Sequence, residues 1–230
     1  MSTNVKPPIL FCDFDGTITR QDVVDVLLET YGEPPWRNIE QAWIEGRISS
    51  RECLDSQMKC TRVTEAALDD FLSGIEIDEG FHYLASWARN SGFPLIVFSD
   101  GFDWIIERVF ANNRIDVQAL GIRIFASHLD FGSGGPKWSF PHSMACAHGC
   151  GTCKPGIIHR LTAPDTVSVV IGDGRSDVFA VDAADVVYAK GWLQSHCREH
   201  GIPFHPFSSL TDVLAHLNTI YDPTAMRNTV

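Results

Sequence analysis

Three apolar runs, each ending in a polar cluster, constrain the fold of this chain more than any other feature. Pro8-Ile9-Leu10-Phe11 leads into Cys12-Asp13-Phe14-Asp15-Gly16-Thr17-Ile18-Thr19. Pro94-Leu95-Ile96-Val97-Phe98 leads into Ser99-Asp100-Gly101, and Thr166-Val167-Ser168-Val169-Val170-Ile171 into Gly172-Asp173-Gly174-Arg175-Ser176-Asp177. Unbroken apolar runs of this length predict strands buried on both faces, as in a parallel sheet. Such a sheet gathers the carboxyl ends of its strands along one edge, so polar groups there share one crevice. The predicted fold is α/β with a Rossmann-like parallel sheet.

The first cluster is the most informative. In an extended strand residues i and i+2 point to the same side, so Asp13 and Asp15 can face one site. Gly16 then permits a sharp turn. Two such carboxylates can hold a divalent cation, attack a phosphorus centre and move a proton. Lys154-Pro155 opens a predicted helix with proline in its first turn. The ordered kit is two acids, a hydroxyl with a glycine, a lysine, then two more acids.

Between the first two strands the hydrophobicity changes to helical spacing. Val23, Val24, Leu27, Leu28 and Tyr31 form one stripe, and four further helices are predicted near 36–45, 49–59, 64–73 and 78–90. This exceeds a single crossover helix. It predicts a small helical cap inserted at residues 20–90 over a core of residues 1–19 and 91–230. A lid of this kind excludes water and selects substrate. Within the core, a helix is predicted over 102–113, a strand over 117–127, and an irregular Cys/His-rich loop over 128–153. Helices near 176–183, 191–200 and 208–220 and strands near 186–188 and 202–207 complete the chain, and the final nine residues are expected to fray.

The four motifs, in this order from residue 11 to residue 177, resemble the haloacid-dehalogenase superfamily and its aspartate-nucleophile phosphatases. The resemblance implies a Rossmann-like core with an inserted helical cap, magnesium as cofactor and a small phosphorylated metabolite as substrate. It implies Asp13 as nucleophile and Asp15 as acid/base. It further implies Asp13, the main-chain carbonyl of Asp15 and Asp173 as magnesium ligands, with Asp177 supporting them through water or by orienting Lys154. Ser99 and the amides near Gly101 would hold phosphoryl oxygens, and Lys154 would neutralise the transferring group. A carboxyl used as an acid near neutral pH needs a raised pKa. Asp22 matches the position at which phosphoserine phosphatases contact substrate, but Thr19-Arg20-Gln21-Asp22 also reads as a capping box with Asp in place of Glu. Asp100 stands where related phosphatases carry glycine; its carboxylate either points away from the phosphate or reads a substrate hydroxyl.

The segment from Pro141 to Pro155 is unusual, with three thiols and two imidazoles within a dozen residues. Cys150 and Cys153 have zinc-knuckle spacing, and Cys146 and His148, with His142 as a substitute, would complete four ligands. Redox-sensitive thiols and plain packing are the competing readings. The segment, together with the first motif, resembles the methionine-salvage branch of the superfamily, which acts on a keto/enol phosphate. A Cys-rich approach to the lysine also occurs in phosphocholine/phosphoethanolamine phosphatases. Ser99-Asp100-Gly101 departs from the Ser-Gly-Gly usual in the methionine-salvage branch. Phosphoserine is less attractive, because the comparable cap helix offers Asp55, Gln57 and Lys59, with Arg62 further on, rather than a positioned arginine. Trp36, Trp43 and Met58 suit either an apolar substrate tail or the interior of the cap.

Composition narrows the classes. A net charge of −11 over 230 residues, without a basic run, argues against a nucleic-acid partner. No run of about 20 apolar residues predicts a membrane span, and no leader is expected. The seven cysteines read as reduced thiols or metal ligands rather than a disulfide framework, which predicts a cytoplasmic protein. A phosphotransferase, or a binding module built on a phosphatase frame, are the alternatives to a phosphatase.

Overall fold

The computed structural model describes residues 5–133, 135–143 and 146–221. The expected fraying of the last nine residues lies outside them. Strand β1 (Pro8–Cys12) is followed by five helices: α1 (Val23–Tyr31), α2 (Pro35–Ile44), α3 (Ser50–Lys59), α4 (Glu65–Leu72) and α5 (Gly80–Ser91). Next come β2 (Leu95–Phe102), α6 (Asp103–Asn112), α7 (Val117–Leu120), β3 (Arg123–Gly132), β4 (Gly135–Ser139) and α8 (Lys154–Leu161). The chain continues through β5 (Val167–Gly172), a 3₁₀ turn at Arg175–Asp177, α9 (Val178–Val181), β6 (Val186–Ala189), α10 (Gly191–His200), β7 (His205–Pro206) and α11 (Leu210–Ile220).

The strands form one sheet in the order β4-β3-β2-β1-β5-β6-β7, parallel except for β4, which runs antiparallel to β3. β1 lies at the centre, flanked by β2 and β5, so the three apolar runs are neighbours. Alternate side chains explain why the runs are apolar throughout. Leu10, Cys12, Leu95, Val97, Val169 and Ile171 pack with α5, α6 and α11 on one face. Ile9, Phe11, Ile96, Phe98 and Val170 pack with α8 and α9 on the other.

The helical insertion leaves the core after Thr19 and returns at Ile77, where these two residues pair as an antiparallel bridge. The Asp78 amide donates to the Ile18 carbonyl at 2.8 Å, and the Arg20 amide to the Glu76 carbonyl at 3.1 Å. The expected boundary near residue 90 therefore moves back to this pairing. The reason is the apolar face of α5: Phe81, Leu84, Ala85 and Ala88 are buried in the main core, and Phe81 stacks on Phe110 of α6 at 5.4 Å. Asp78 reinforces the placement by accepting the Gly80 amide and the Leu210 amide, which ties the start of α5 to the start of α11. Helices α1–α3 lie over the carboxyl ends of β1, β2 and β5, and α4 packs beside α6.

Two other expectations are corrected. Residues 117–127 are not one strand. Asp116 caps a single helical turn, α7, by accepting the Ala119 amide, and Gly121 ends the turn in the left-handed region at φ 68° before β3 begins. Residues 128–139 are not irregular, because β3 continues to Gly132 and pairs with β4 as a hairpin. Irregular structure in the expected loop is confined, among the described residues, to 140–153. Among the described residues no helix is long and apolar enough to cross a membrane.

Candidate active site

The ends of β1, β2 and β5 and the first residue of α8 converge. Asp13 follows β1 directly, and its amide donates to the Ile171 carbonyl of β5 at 2.9 Å, which registers the first motif against the third. Its carboxylate is 3% exposed, and Oδ1 accepts from Lys154 Nζ at 2.6 Å. Lys154 is itself 1% exposed, donates to Asp177 Oδ1 at 2.6 Å and lies 3.2 Å from Ser176 Oγ. A cation at a helix N-terminus opposes the helix dipole. Burial also disfavours the charge on Lys154, yet Asp13 and Asp177 outweigh it and hold the ammonium well above its ordinary pKa.

Asp13 responds to opposed influences. Burial and the charge of Asp177 push its carboxyl well above the usual range, while Lys154 pulls it down. Burial and Asp177 likewise push Asp173 up to about 6. Asp173 Oδ1 accepts from Thr17 Oγ1 at 2.6 Å, and Asp177 Oδ2 accepts the amides of Asp173 and Gly174 at 3.1 and 3.2 Å. Carboxylate oxygens of Asp13, Asp173 and Asp177 all lie within 4.8 Å of one another. Crowded carboxylate oxygens are a donor set that suits a hard divalent cation. Gly16, at φ 71°, completes the arrangement, since a Cβ there would stand 2.5 Å from Asp173 Oδ2.

Asp15 lies apart from this trio. Its Oδ1 accepts the Val23 amide at 3.1 Å, and its Oδ2 accepts from Ser99 Oγ at 3.0 Å. Burial, then the charge of Asp22, push its carboxyl up to about 7. Ser99 Oγ also accepts the Gly101 amide at 2.8 Å. Glycine is required at 101 because a Cβ would stand 2.8 Å from Asp15 Oδ2 and 3.0 Å from Ser99 Oγ.

The two ambiguous acids resolve differently. Asp22 is the N-cap of α1, accepting the Asp25 amide at 3.0 Å, so Thr19 is not the cap. Thr19 instead accepts the Gly16 amide and donates within the turn that follows β1, to the Phe14 and Gln21 carbonyls. Asp22 also opens onto the cleft, so it serves as cap and cleft wall together. Asp100 accepts from Ser50 Oγ at 2.6 Å and from the Thr152 amide at 2.8 Å. It thereby joins the start of α3 to the segment before Lys154.

A cavity of about 130 Å³ lies between these groups and helices α1–α3. Its wall from the insertion includes Asp22, Asp25, Glu40, Trp43, Cys53 and Gln57. Asp22 and Asp25 keep exposed surface, yet desolvation in the cleft pushes Asp22 up to about 7 and, with Glu40 next in effect, Asp25 up to about 6; it also raises Glu40. Trp43 thus reaches the cavity, whereas Trp36 and Met58 are buried away from it. Arg175 is the cationic side chain on the lining, and its guanidinium sits 4.2 Å above the Trp192 ring. Asp55, Lys59 and Arg62 do not line the cavity.

Sequence reasoning assigned no role to Asp25, Glu40 or Arg175. A signal for the first two was present: Asp25 lies three residues after Asp22, and Trp43 three after Glu40, which places each pair on one helix face. The Cys/His segment lies beside the site. Cys146, His148 and Cys150 bring their ligand atoms within 4.8 Å of one another, whereas His142 packs edge-on against Phe125, at 5.1 Å between ring centroids.

The sequence model of the haloacid dehalogenase-like hydrolase family matches residues 10–181. The 2-hydroxy-3-keto-5-methylthiopentenyl-1-phosphate phosphatase of Geobacillus thermodenitrificans is 32% identical over 219 residues, covering 94% of this chain and 97% of that protein. The Geobacillus kaustophilus protein of the same name is 31% identical, covering 91% and 94%. A substrate-bound phosphoserine phosphatase structure superposes with a TM-score of 0.67 at 19% identity, covering 92% of this chain and 98% of that one.

Proposed function

We propose that this chain, which belongs to the haloacid dehalogenase-like hydrolases, is a magnesium-dependent phosphomonoesterase that works through an aspartyl-phosphate on Asp13. The observation that carries the reading is the division of labour between two carboxylates. Asp13 is clamped by buried Lys154, while Asp15, held by Ser99 and the Val23 amide, has its proton affinity set at about 7.

Lys154 occupies Oδ1 of Asp13, which leaves Oδ2 for attack on phosphorus. As the Oδ2–P bond forms and the P–O ester bond breaks, Asp15 gives its proton to the departing alkoxide. In the second half Asp15 takes a proton from water, the water oxygen bonds to phosphorus, the Asp13–P bond breaks and inorganic phosphate leaves. A carboxyl titrating at about 7 serves in both directions near neutral pH. Lys154 faces the charge spread over the transferring group, and Asp177 fixes the ammonium in place. The Ser99 hydroxyl and the Gly101 amide, which pair with Asp15 and with Ser99 Oγ in the structure, would turn to the phosphoryl oxygens when substrate enters. Asp13, Asp173 and the Asp15 main-chain carbonyl would hold magnesium, which would neutralise phosphoryl charge.

The favoured substrate is the keto/enol phosphate in the name of the relatives at 31–32% identity. One observation favours a second reading. The insertion lines the cavity with Asp22, Asp25 and Glu40 beside Trp43, and acids beside an aromatic ring suit a cationic tail, as in an amino-alcohol phosphate. With its cysteines unpaired, such a small-metabolite enzyme fits the reducing cytoplasm.

Phosphate release from a panel of small esters, with magnesium and with EDTA, tests the reading. The panel includes the methylthio keto/enol phosphate, phosphoethanolamine, phosphocholine, phosphoserine and sugar phosphates. Magnesium-dependent release is expected, and Asp13→Asn is expected to lower kcat by roughly 10⁴-fold or more while the protein stays folded. Unchanged turnover in that variant would refute the mechanism.

A further inference from the structure

The segment before Lys154 holds a second donor set, of a chemistry opposite to that of the aspartates. Cys146 Sγ, a ring nitrogen of His148 and Cys150 Sγ are mutually within 4.8 Å. Cys153, the remaining thiol of the segment, lies outside this group of three and is the one donor that would have to turn in. Cys153 has its space because residue 156 is glycine; a Cβ there would stand 3.1 Å from its sulfur. The His148 ring is fixed by stacking on Phe179, with centroids 3.9 Å apart and planes at 10°. In a tetrahedral zinc site the Zn–S distance of about 2.3 Å places sulfurs about 3.8 Å apart, so this cluster needs only slight contraction. Soft thiolates select zinc, and the oxygen trio of Asp13, Asp173 and Asp177 selects a hard cation, so two different ions sort by donor type.

The surroundings show what such an ion would secure. The Gly149 carbonyl accepts the Arg51 amide at 3.1 Å, and the Gly151 amide donates to Ser50 Oγ at 3.3 Å. Gly149, at φ 69°, lies so close to α3 that a Cβ would meet Ser49 Cβ at 2.6 Å. The Thr152 amide is on Asp100, and Lys154 begins the next helix. The segment thus lies between α3 of the insertion and the lysine of the site.

We propose that Cys146, His148, Cys150 and Cys153 form a structural zinc site that closes the segment carrying Lys154 on itself, in the shape in which Gly149 and Gly151 hydrogen-bond the N-terminus of α3. The ion takes no part in phosphoryl transfer. It replaces the cross-links that an irregular, glycine-rich segment lacks, and it stands apart from the phosphatase reading.

The test uses the full chain, purified and dialysed against EDTA, with metal content measured by mass spectrometry. One zinc per chain is expected, retained in Asp13→Asn and lost in Cys150→Ser. Because that variant can fail to fold, zinc is also displaced from the wild-type protein with a mercurial, the thiols are recovered with reductant, and cobalt(II) is added. One equivalent is expected to give the intense visible bands of a tetrahedral cobalt thiolate, altered in His148→Ala. Zinc removal is expected to speed hydrogen exchange at the amides of Arg51, Gly151 and Thr152. A wild-type protein with no zinc and no tetrahedral cobalt spectrum would overturn the proposal, as would a disulfide among these cysteines in the protein as purified.

Discussion

Replacing Lys154 by methionine keeps the length of the side chain and removes its charge. In the structure the ammonium touches two carboxylates at 2.6 Å, and all three groups are at most 4% exposed. Removing one partner from a buried ion pair costs about 3–5 kcal/mol, because the remaining charge is left uncompensated. At roughly 2–4 °C per kcal/mol for a chain of this size, the melting temperature should fall by roughly 6–20 °C. The loss should depend on pH, with a definite sign. Asp13 already binds its proton more tightly in the fold than an unfolded carboxyl, whose pKa is about 3.9. Without Lys154 that affinity rises further. The folded variant then holds more protons than the unfolded chain above about pH 4, so its stability declines as pH rises. Thermal or urea unfolding without metal should show the full deficit near about pH 8 and a smaller one near about pH 5. Magnesium should restore part of it by neutralising the same carboxylates. Equal stability of variant and wild type near about pH 8 without metal would refute the claim that Lys154 balances Asp13 and Asp177.

The remaining expectations concern the acid and the metal. With an alkyl phosphate, whose leaving group needs a proton, kcat should fall as pH rises through about 7, where Asp15 loses its proton; a nitrophenyl phosphate should lack this limb, and the limb's persistence there would remove Asp15 from the role. Asp15→Asn should lower kcat on the alkyl ester by roughly 10²–10⁴-fold, and less on the nitrophenyl ester. Gly16→Ala forces a left-handed residue to carry a Cβ at 2.5 Å from Asp173 Oδ2. It should weaken magnesium affinity by roughly 10–100-fold, read by titrating activity or by calorimetry.

The central sheet was legible because its three main strands are buried on both faces and read as uninterrupted apolar runs. Their terminal residues were legible for the same reason: Asp13, Ser99 and Asp173 stand where the apolar pattern stops. The hairpin of β3 and β4 was not, because β3 mixes buried and exposed residues and the sequence at 132–135 is rich in glycine, which suggests irregular chain. The placement of α5 was lost because its amphipathic stripe says that it packs, not on what. Phe81 finds Phe110, a partner distant in sequence. The cavity wall was the least legible part. Asp25 and Glu40 look like ordinary solvated acids on helices, and only the fold of the insertion sets both beside the cavity. The raised proton affinity of Asp15 depends on that same burial and on Asp22, and neither can be had from spacing alone.

The Val23 amide that holds Asp15 is among the first of α1, and Asp22, whose charge raises the pKa of Asp15, caps the same helix. One short element therefore both lines the cavity and holds the proposed proton donor. On the proposed reading selectivity and pH optimum are not separable: exchanging Asp22 for a neutral residue to admit a different tail would also lower the pKa of Asp15 and shift the working range toward lower pH. A lineage that changed its substrate through α1 would have had to retune its acidity in the same step.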